Sequence, residues 1–388
     1  MDRIERAGAL RVGTPGDYRP YADSAGPVST PLGSDIAIAR AVAASLGVGI
    51  EFVSTSWGTL TDDTGATRFD AAVGGISITA ERRQVADFSR PLARDGKTVL
   101  APCATLSNVD TLAELNRAAI RVIVNPGGTN ERFARSRLPR ATLIVHTDNR
   151  TVFDELIAGR ADAMITDAVE ARLQARLHPQ MLCAAHPDHP FDRADKAILL
   201  ARDPALVARV DARLRELQRD GSLKRSLARW IDYPWQLVGT PQGDLLALVD
   251  ARLAVMSDVA RTKWNSGAAI EDPVREAELL QGLVDEGGKL GVPGDRVRVF
   301  FDAQFAAARR LQHDLHDVWR AQRRDKLPPA PDLRQDIRPR LDRVSAAMLK
   351  ALAAWPRDTT LPSSATLTTA LVSPAAAELA LAPLRAAQ

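Results

Sequence analysis

Residues 120–137 read IRVIVNPGGTNERFARSR, and the fold of the first half of the chain turns on how they are read. The β-branched run at 120–124 suits a buried strand, and the spacing of apolar residues becomes helical over 130–137. Between them, Asn125-Pro-Gly-Gly breaks the strand with residues that permit a tight turn. Strand, glycine turn and helix make the elementary unit of an α/β protein, and the alternation continues on both sides. Strand-like runs fall at 9–13, 50–53, 69–73, 97–100, 143–146 and 161–165, with helical stretches at 36–46, 150–158 and 169–177, and after 196–201 come two more helical stretches, 204–219 and 222–230. The pattern predicts mostly parallel sheets.

The character changes near residue 240. The segment 231–243 carries Asp-Tyr-Pro-Trp and then Gly-Thr-Pro-Gln-Gly, a breaker-rich stretch that suits a linker. Beyond it no run reads as a strand. Long amphipathic helices are expected at 244–264, 274–287, 295–324 and 333–355, with three prolines in 326–331 separating the last two. An Ala-, Leu- and Thr-rich stretch at 358–388 reads as a closing helix, so the second half is all-α.

Composition narrows the partners. Lys and Arg total 51 against 48 for Asp and Glu, and the cations are scattered, which argues against nucleic acid and for small anions. No apolar run approaches the roughly 18 residues of a membrane span, so no membrane partner is expected. Met1-Asp-Arg-Ile is not followed by an apolar stretch, so the chain reads either as cytoplasmic or as one whose signal peptide has been removed. Cys103 and Cys183 fall in the same region and are open to two readings, buried thiols or a disulfide. The six histidines form no ligand set: His186 and His189 sit in a Pro-rich loop, and His313 and His316 lie three apart without a Cys or acidic cluster. No metal and no cofactor are expected.

Several segments carry a resemblance. Arg11-Val-Gly-Thr-Pro-Gly-Asp-Tyr-Arg-Pro-Tyr21, Gly74-Gly-Ile-Ser-Ile-Thr-Ala-Glu-Arg82 and Val85-Ala-Asp-Phe-Ser-Arg-Pro91 resemble the amino-acid-binding class of periplasmic solute-binding proteins. Asp95-Gly-Lys-Thr98, Asn125-Pro-Gly-Gly-Thr-Asn-Glu131, Thr166-Asp-Ala-Val-Glu170, Leu182-Cys183 and Ser56-Trp57 narrow it to the cyclohexadienyl dehydratases, enzymes of that fold. The resemblance implies a two-lobed α/β periplasmic-binding-protein fold (type II) over 1–236, with lobe one at 1–99 plus 195–235 and lobe two at 100–194. It also implies a ligand in the cleft.

The chemistry can be read beside it. Prephenate and arogenate lose a ring hydroxyl and a ring carboxylate together, so a site needs donors for carboxylates and one acid for the leaving oxygen. Arg82, with Ser77 before it, matches the carboxylate clamp of the binding proteins. Asn125, Thr129 and Asn130 would offer N–H and hydroxyl donors at a helix N-terminus. By the resemblance, Asp167 stands where binding proteins hold an α-amino group, Glu170 is the general acid, and Lys97 and Trp57 belong to the cleft. Glu170 needs burial to keep its proton near neutral pH. Taken alone, Asp167 and Glu170 read equally well as helix-capping acids.

In the second half, Arg252 and Lys263 are eleven residues apart, about three helical turns, and so share an otherwise apolar face. Asp250-Ala-Arg-Leu253, Ala260-Arg-Thr-Lys-Trp264, Ile270-Glu-Asp-Pro-Val-Arg275, Val299-Phe-Phe-Asp-Ala-Gln304 and Asp332-Leu-Arg-Gln-Asp-Ile-Arg338 resemble the secreted, gamma-type subclass of all-helical chorismate mutases. That implies a chorismate mutase domain over 244–388 joined by a linker at 237–243. Arg252, Arg275 and Arg338 would hold carboxylates, and Lys263 and Gln312 would donate to the breaking ether oxygen. Ala308 and Leu279 depart from the pattern, where related enzymes carry a hydroxyl and a Gln.

The two halves fit chemically, since the product implied for one is the substrate implied for the other: chorismate to prephenate, then prephenate to phenylpyruvate or arogenate to phenylalanine. The alternative is an amino-acid-binding sensor or transport domain fused to a mutase. Both resemblances are to exported proteins, which favours the periplasm over the cytoplasm. A homo-oligomer is compatible with the sequence.

Overall fold

The structure is a computed structural model that describes residues 1–25, 30–356 and 359–385. The chain divides into two compact units, one of Met1–Arg11, Ser24–Phe52 and Ala208–Gln388, the other of Val12–Asp23 and Val53–Val207.

One five-stranded sheet runs in the order Leu182–Ala185, Lys97–Pro102, Ala163–Asp167, Arg121–Val124, Thr142–Val145. Arg121–Val124 lies parallel to both of its neighbours, whereas Lys97–Pro102 is antiparallel to both of its own. The other sheet runs Gly49–Ser54, Ala9–Thr14, Ala71–Ala72, Leu199–Leu200, Asp87–Phe88. Ala9–Thr14 and Ala71–Ala72 are parallel, and Leu199–Leu200 is antiparallel to both neighbours.

The sheets are therefore mixed, which corrects the expectation of mostly parallel ones. A helical crossover enforces parallel pairing. Lys97–Pro102 and Leu199–Leu200 are instead reached from a strand of the opposite sheet through a loop with no helix, and they enter in the opposite sense.

The unit that contains the C-terminal half is built on five α-helices of that half: Pro241–Ser266, Pro273–Lys289, Gly294–Ala321, Arg338–Ala354 and Pro374–Arg385. The first begins with Pro241 behind a Thr240 hydroxyl that accepts from Gly243 N, and it stops at Gly267 in the left-handed region. Within the stretch 231–243 there is a 3₁₀ turn, Trp235–Leu237, with Trp235 buried.

Two helical expectations need correction. Residues 333–355 open with a π-helical turn, Leu333–Ile337, in which Ile337 N reaches back five residues to Asp332 O at 3.0 Å, while the Asp332 carboxylate caps Arg334 N and Gln335 N. The closing helix is confined to Pro374–Arg385, preceded by a 3₁₀ turn at Thr368–Leu371, and Pro362 lies in the irregular stretch before it. Asp358 and residues 386–388 of that expectation lie outside the described residues.

The helix Ser34–Leu46 belongs to the same unit and shows how the segments pack. Its sequence, SDIAIARAVAASL, is apolar nearly all round, and every residue except Ser45 is buried. A helix of that kind needs cover on all sides. Arg40 Nε donates to Thr368 Oγ1 at 2.8 Å, and Trp319 Nε1 donates to Ala44 O at 3.2 Å. Gly8 and Gly47, both at positive φ, admit the loop 327–329: an added Cβ would stand 1.9 Å from Pro329 O at Gly8 and 2.6 Å from Leu327 Cδ2 at Gly47. No helix among the described residues is long and apolar enough to cross a membrane.

Candidate active sites

Strand register creates the first site. Lys97 and Asp167 are direct partners across the antiparallel pair Lys97–Pro102 and Ala163–Asp167, so their side chains meet on one face. Lys97 Nζ donates to Asp167 Oδ1 at 2.7 Å, Thr129 Oγ1 at 2.8 Å and Asn130 Oδ1 at 2.5 Å. Lys196 Nζ donates to the other Asp167 oxygen at 2.5 Å and to Ser77 Oγ at 2.9 Å, and the Tyr18 hydroxyl donates to that same Asp167 oxygen.

Asp167 occupies the N-cap position of the helix Ala168–Leu177, yet its side chain makes no capping bond. Burial alone would raise its pKa, but Lys196 and Lys97 overcome that and hold the carboxyl well below the usual range. Burial lowers the pKa of Lys97 despite the attraction of Asp167.

Glu170 sits in the first turn of the same helix, 1% exposed. It accepts from the Thr166 hydroxyl, which also lies within reach of Asn130 Nδ2 at 3.4 Å. Burial pushes its pKa from 4.5 to about 8, against the pull of Thr166, and the negative charges of Asp167 and Asp17 add to the rise. The carboxyl thus keeps its proton at neutral pH.

Arg82 is buried and donates through NH1 to Ser77 O at 2.9 Å, while its Nε has no partner. Burial brings its pKa down to about 10. Trp57 stands edge-on to Tyr18 at 5.6 Å and donates from Nε1 to Asp17 Oδ1 at 2.9 Å. Trp57, Ser77, Arg82, Asn125, Thr129, Asn130 and Asp167 surround about 20 Å³ of free space together with Tyr18 and Lys196. Lys97 and Glu170 lie just outside that lining: Lys97 touches Thr129, Asn130 and Asp167, and Glu170 is joined through Thr166. Cys103 and Cys183 are disulfide-bonded, tying the end of the Lys97–Pro102 strand to its neighbour Leu182–Ala185.

The helical half holds a cavity of about 900 Å³. Arg252, Lys263, Arg275, Gln312 and Arg338 all line it, as do Ala308 and Leu279. Arg252 is buried, donates through NH1 to Gln304 O at 3.3 Å and lies 5.3 Å from the centre of the Phe305 ring. Burial takes its pKa down to about 10. Lys263 Nζ donates to Ile270 O at 2.7 Å, and half-burial lowers its pKa. Gln312 Nε2 donates to Ala308 O at 3.0 Å and makes only a weak contact to Met256 Sδ at 4.0 Å. Arg275 and Arg338 are exposed on the rim, where Arg275 pairs with Glu278 at 3.3 Å.

Residues 10–233 match the sequence profile of the bacterial extracellular solute-binding proteins, family 3. The chain belongs to that family. Within it, the chain is 46% identical over 237 residues to the cyclohexadienyl dehydratase of Pseudomonas aeruginosa, covering 61% of this chain and 87% of that protein. A crystal structure of an ancestral amino acid-binding protein, a precursor of cyclohexadienyl dehydratase, superposes with a TM-score of 0.55 at 32% identity, over 59% of this chain and 98% of that one. Residues 243–313 match the profile of chorismate mutase type II. A secreted chorismate mutase of Yersinia pestis is 27% identical over 111 residues, 29% of this chain and 59% of that protein.

Family 3 membership sets the residues that sequence reasoning missed in context. Lys196 and Tyr18 share Asp167 with Lys97, and neither was singled out as a site residue. The available signal was Lys196 at the head of the apolar run Ala197-Ile-Leu-Leu: a buried ammonium requires an anion. Tyr18 stands inside the quoted motif 11–21. In the helical half, Arg309 forms an ion pair with Glu276 on the cavity wall, three residues before Gln312 and so on its face.

Proposed function

We propose that the chain is a bifunctional enzyme of phenylalanine biosynthesis: a chorismate mutase over 244–388 feeding prephenate to a cyclohexadienyl dehydratase over 1–236, the two joined at 237–243. The carrying observation is Glu170, a buried carboxyl that holds its proton to about pH 8 beside a lysine-rich carboxylate cluster. An amino-acid binder has no use for such an acid.

In the dehydratase step Arg82 and the donors Asn125, Thr129 and Asn130 hold the substrate's carboxylates. Glu170 protonates the ring hydroxyl, which departs as water. The electron pair of the bond to the ring carboxylate moves into the ring as carbon dioxide leaves, and Glu170 recovers its proton from solvent.

Asp167 bears on the choice of substrate. In a binding protein such a carboxylate would meet an ammonium, but here two lysines and a tyrosine already occupy both oxygens. Arogenate would have to displace a lysine to place its amino group, whereas prephenate carries a keto group and needs no anion there. Prephenate is therefore the preferred substrate. Steady-state kinetics with both should give the higher kcat/KM for prephenate, and equal or reversed values would sink this assignment.

In the mutase step Arg252, Arg275 and Arg338 hold the dicarboxylate in its compact pose, and Lys263 with Gln312 meets the charge growing on the ether oxygen. Kinship with solute-binding proteins and a secreted mutase, together with the Cys103–Cys183 bridge, supports a periplasmic location. The direct test is to give the protein chorismate and follow chorismate, prephenate and phenylpyruvate over time. Prephenate that rises and then yields to phenylpyruvate supports the whole scheme; prephenate that only accumulates leaves the mutase and removes the dehydratase.

A further inference from the structure

A third cavity, which shares no lining residue with the other two, lies where the helix Ser34–Leu46 and residues 49–52 face the helices of the C-terminal half. It measures about 150 Å³. Its lining combines Arg40, Arg340 and Ser257 with an apolar wall that includes Phe52, Val48 and Ala254. Arg40 is only 8% exposed. Its Nε is tied to Thr368, whose hydroxyl in turn reaches the Asp250 carboxylate, and its guanidinium lies 5.4 Å from the centre of the Phe52 ring. Its two terminal nitrogens donate no hydrogen bond among the described residues, and burial lowers its pKa. Arg340 makes neither a hydrogen bond nor an ion pair among the described residues, and Asp258, the carboxylate in the lining, is held by Arg261 at 2.7 Å.

A guanidinium anchored by one edge presents a two-pronged donor along the other, the arrangement that suits a carboxylate. Asp250 and Asp258 offset part of the cost of burying that charge, and the two terminal nitrogens remain available to an anion. About 150 Å³ is the space that one benzene ring fills in an apolar cavity, so a molecule of about that size, laying its carboxylate on the arginines, would fill this one.

The geometry points to this cavity as a binding site for a small monocarboxylate with an apolar group no larger than a phenyl ring, its carboxylate held by Arg40 and Arg340. The site is independent of the catalytic assignments above. Asp258 adds an acceptor for an ammonium, so an α-amino acid and a plain acid share the chemistry, and the measurement separates them.

Isothermal titration of the full chain with benzoate, L-phenylalanine and inorganic phosphate tests it, on the parent and on Arg340→Ala and Arg40→Met. Saturable binding of benzoate or phenylalanine that weakens at least tenfold in Arg340→Ala, with turnover of chorismate and prephenate unchanged, is the expected result. Tighter binding of phenylalanine than benzoate assigns Asp258 to the ammonium; the reverse assigns a plain acid. Arg40→Met should abolish the heat, and because Arg340 is exposed its variant decides the matter even if Arg40→Met does not fold. Absence of saturable binding of either carboxylate, binding indifferent to Arg340→Ala, or phosphate binding as tightly as benzoate would each overturn the proposal.

Discussion

Glu170 and Asp167 stand three residues apart on one helix end and have opposite fates. Both are buried carboxyls, but Asp167 gathers two ammonium groups and Glu170 gathers one hydroxyl. Their pKa values therefore separate, Asp167 downward and Glu170 to about 8, the separation that lets one site hold both a fixed anion and a proton donor. Glu170→Gln should reduce dehydration of prephenate to background while chorismate turnover persists. For the parent, kcat/KM for prephenate should be level below about pH 8 and fall tenfold per unit above it, as the acid form is lost.

The same shift has a stability consequence. The folded-state pKa lies above the unfolded value of 4.5, so the contribution is fully present below pH 4.5 and is lost as pH rises through about 8. Glu170→Gln should accordingly gain thermal stability relative to the parent between pH 5 and pH 9, and a constant difference in Tm across that range would contradict the buried acid. Lys263→Ala, by contrast, should lower mutase kcat by about 10²–10³, the usual effect of removing one donor to a developing oxyanion, with dehydration intact. Sequence pattern brought out Lys263 and Arg252 because charges on an otherwise apolar face are visible along one segment, whereas Glu170 stood out only through the family resemblance, its place in a first helical turn reading equally well as a cap. Lys196 escaped because its partner lies 29 residues away on another strand, a relation that only the fold creates.

At the level of elements, most strands and helices were legible from periodicity, whereas the strands Asp87–Phe88 and Leu182–Ala185, and strand direction, were not. Lys97–Pro102 has the same composition whether it runs up or down, and its sense follows from the loop that delivers it from the other sheet. That sense matters, since only the antiparallel register sets Lys97 opposite Asp167. The helix Ser34–Leu46 was likewise visible as a helix, but its need for cover on every side is read from its even distribution of Ala, Ile and Val. Gly8→Ala would drive a Cβ against Pro329 O at a positive-φ position. It should destabilise the chain by more than about 1 kcal/mol in urea denaturation while leaving both activities per folded molecule unchanged.

For the molecule as a whole, the Cys103–Cys183 bridge closes a long loop, with the two residues 80 positions apart. Chain-entropy reasoning gives a loop of that length about 4.5 kcal/mol. The double variant Cys103→Ser/Cys183→Ser should lose that much, and dehydration should suffer more than the mutase reaction, because the bridge ties down the strand that carries Lys97. An equal loss in both activities would place the bridge's influence elsewhere. The division into an α/β half and a helical half could be read from the linker chemistry and the end of strand patterning. The packing of the loop 327–329 on Gly8 and Gly47 could not, because glycine conformation and contact are set by a partner more than 250 residues distant.

That packing bears on how the enzyme can be taken apart. A cut at residue 236 would leave the Ser34–Leu46 helix without Trp319 and Thr368, and would leave Gly8 and Gly47 facing water where Pro329 and Leu327 had been. Residues 1–236 thus do not form a unit that covers its own apolar surface. Excised, they would carry an uncovered apolar helix, and engineers wishing to transplant either activity would have to rebuild that surface with polar residues first.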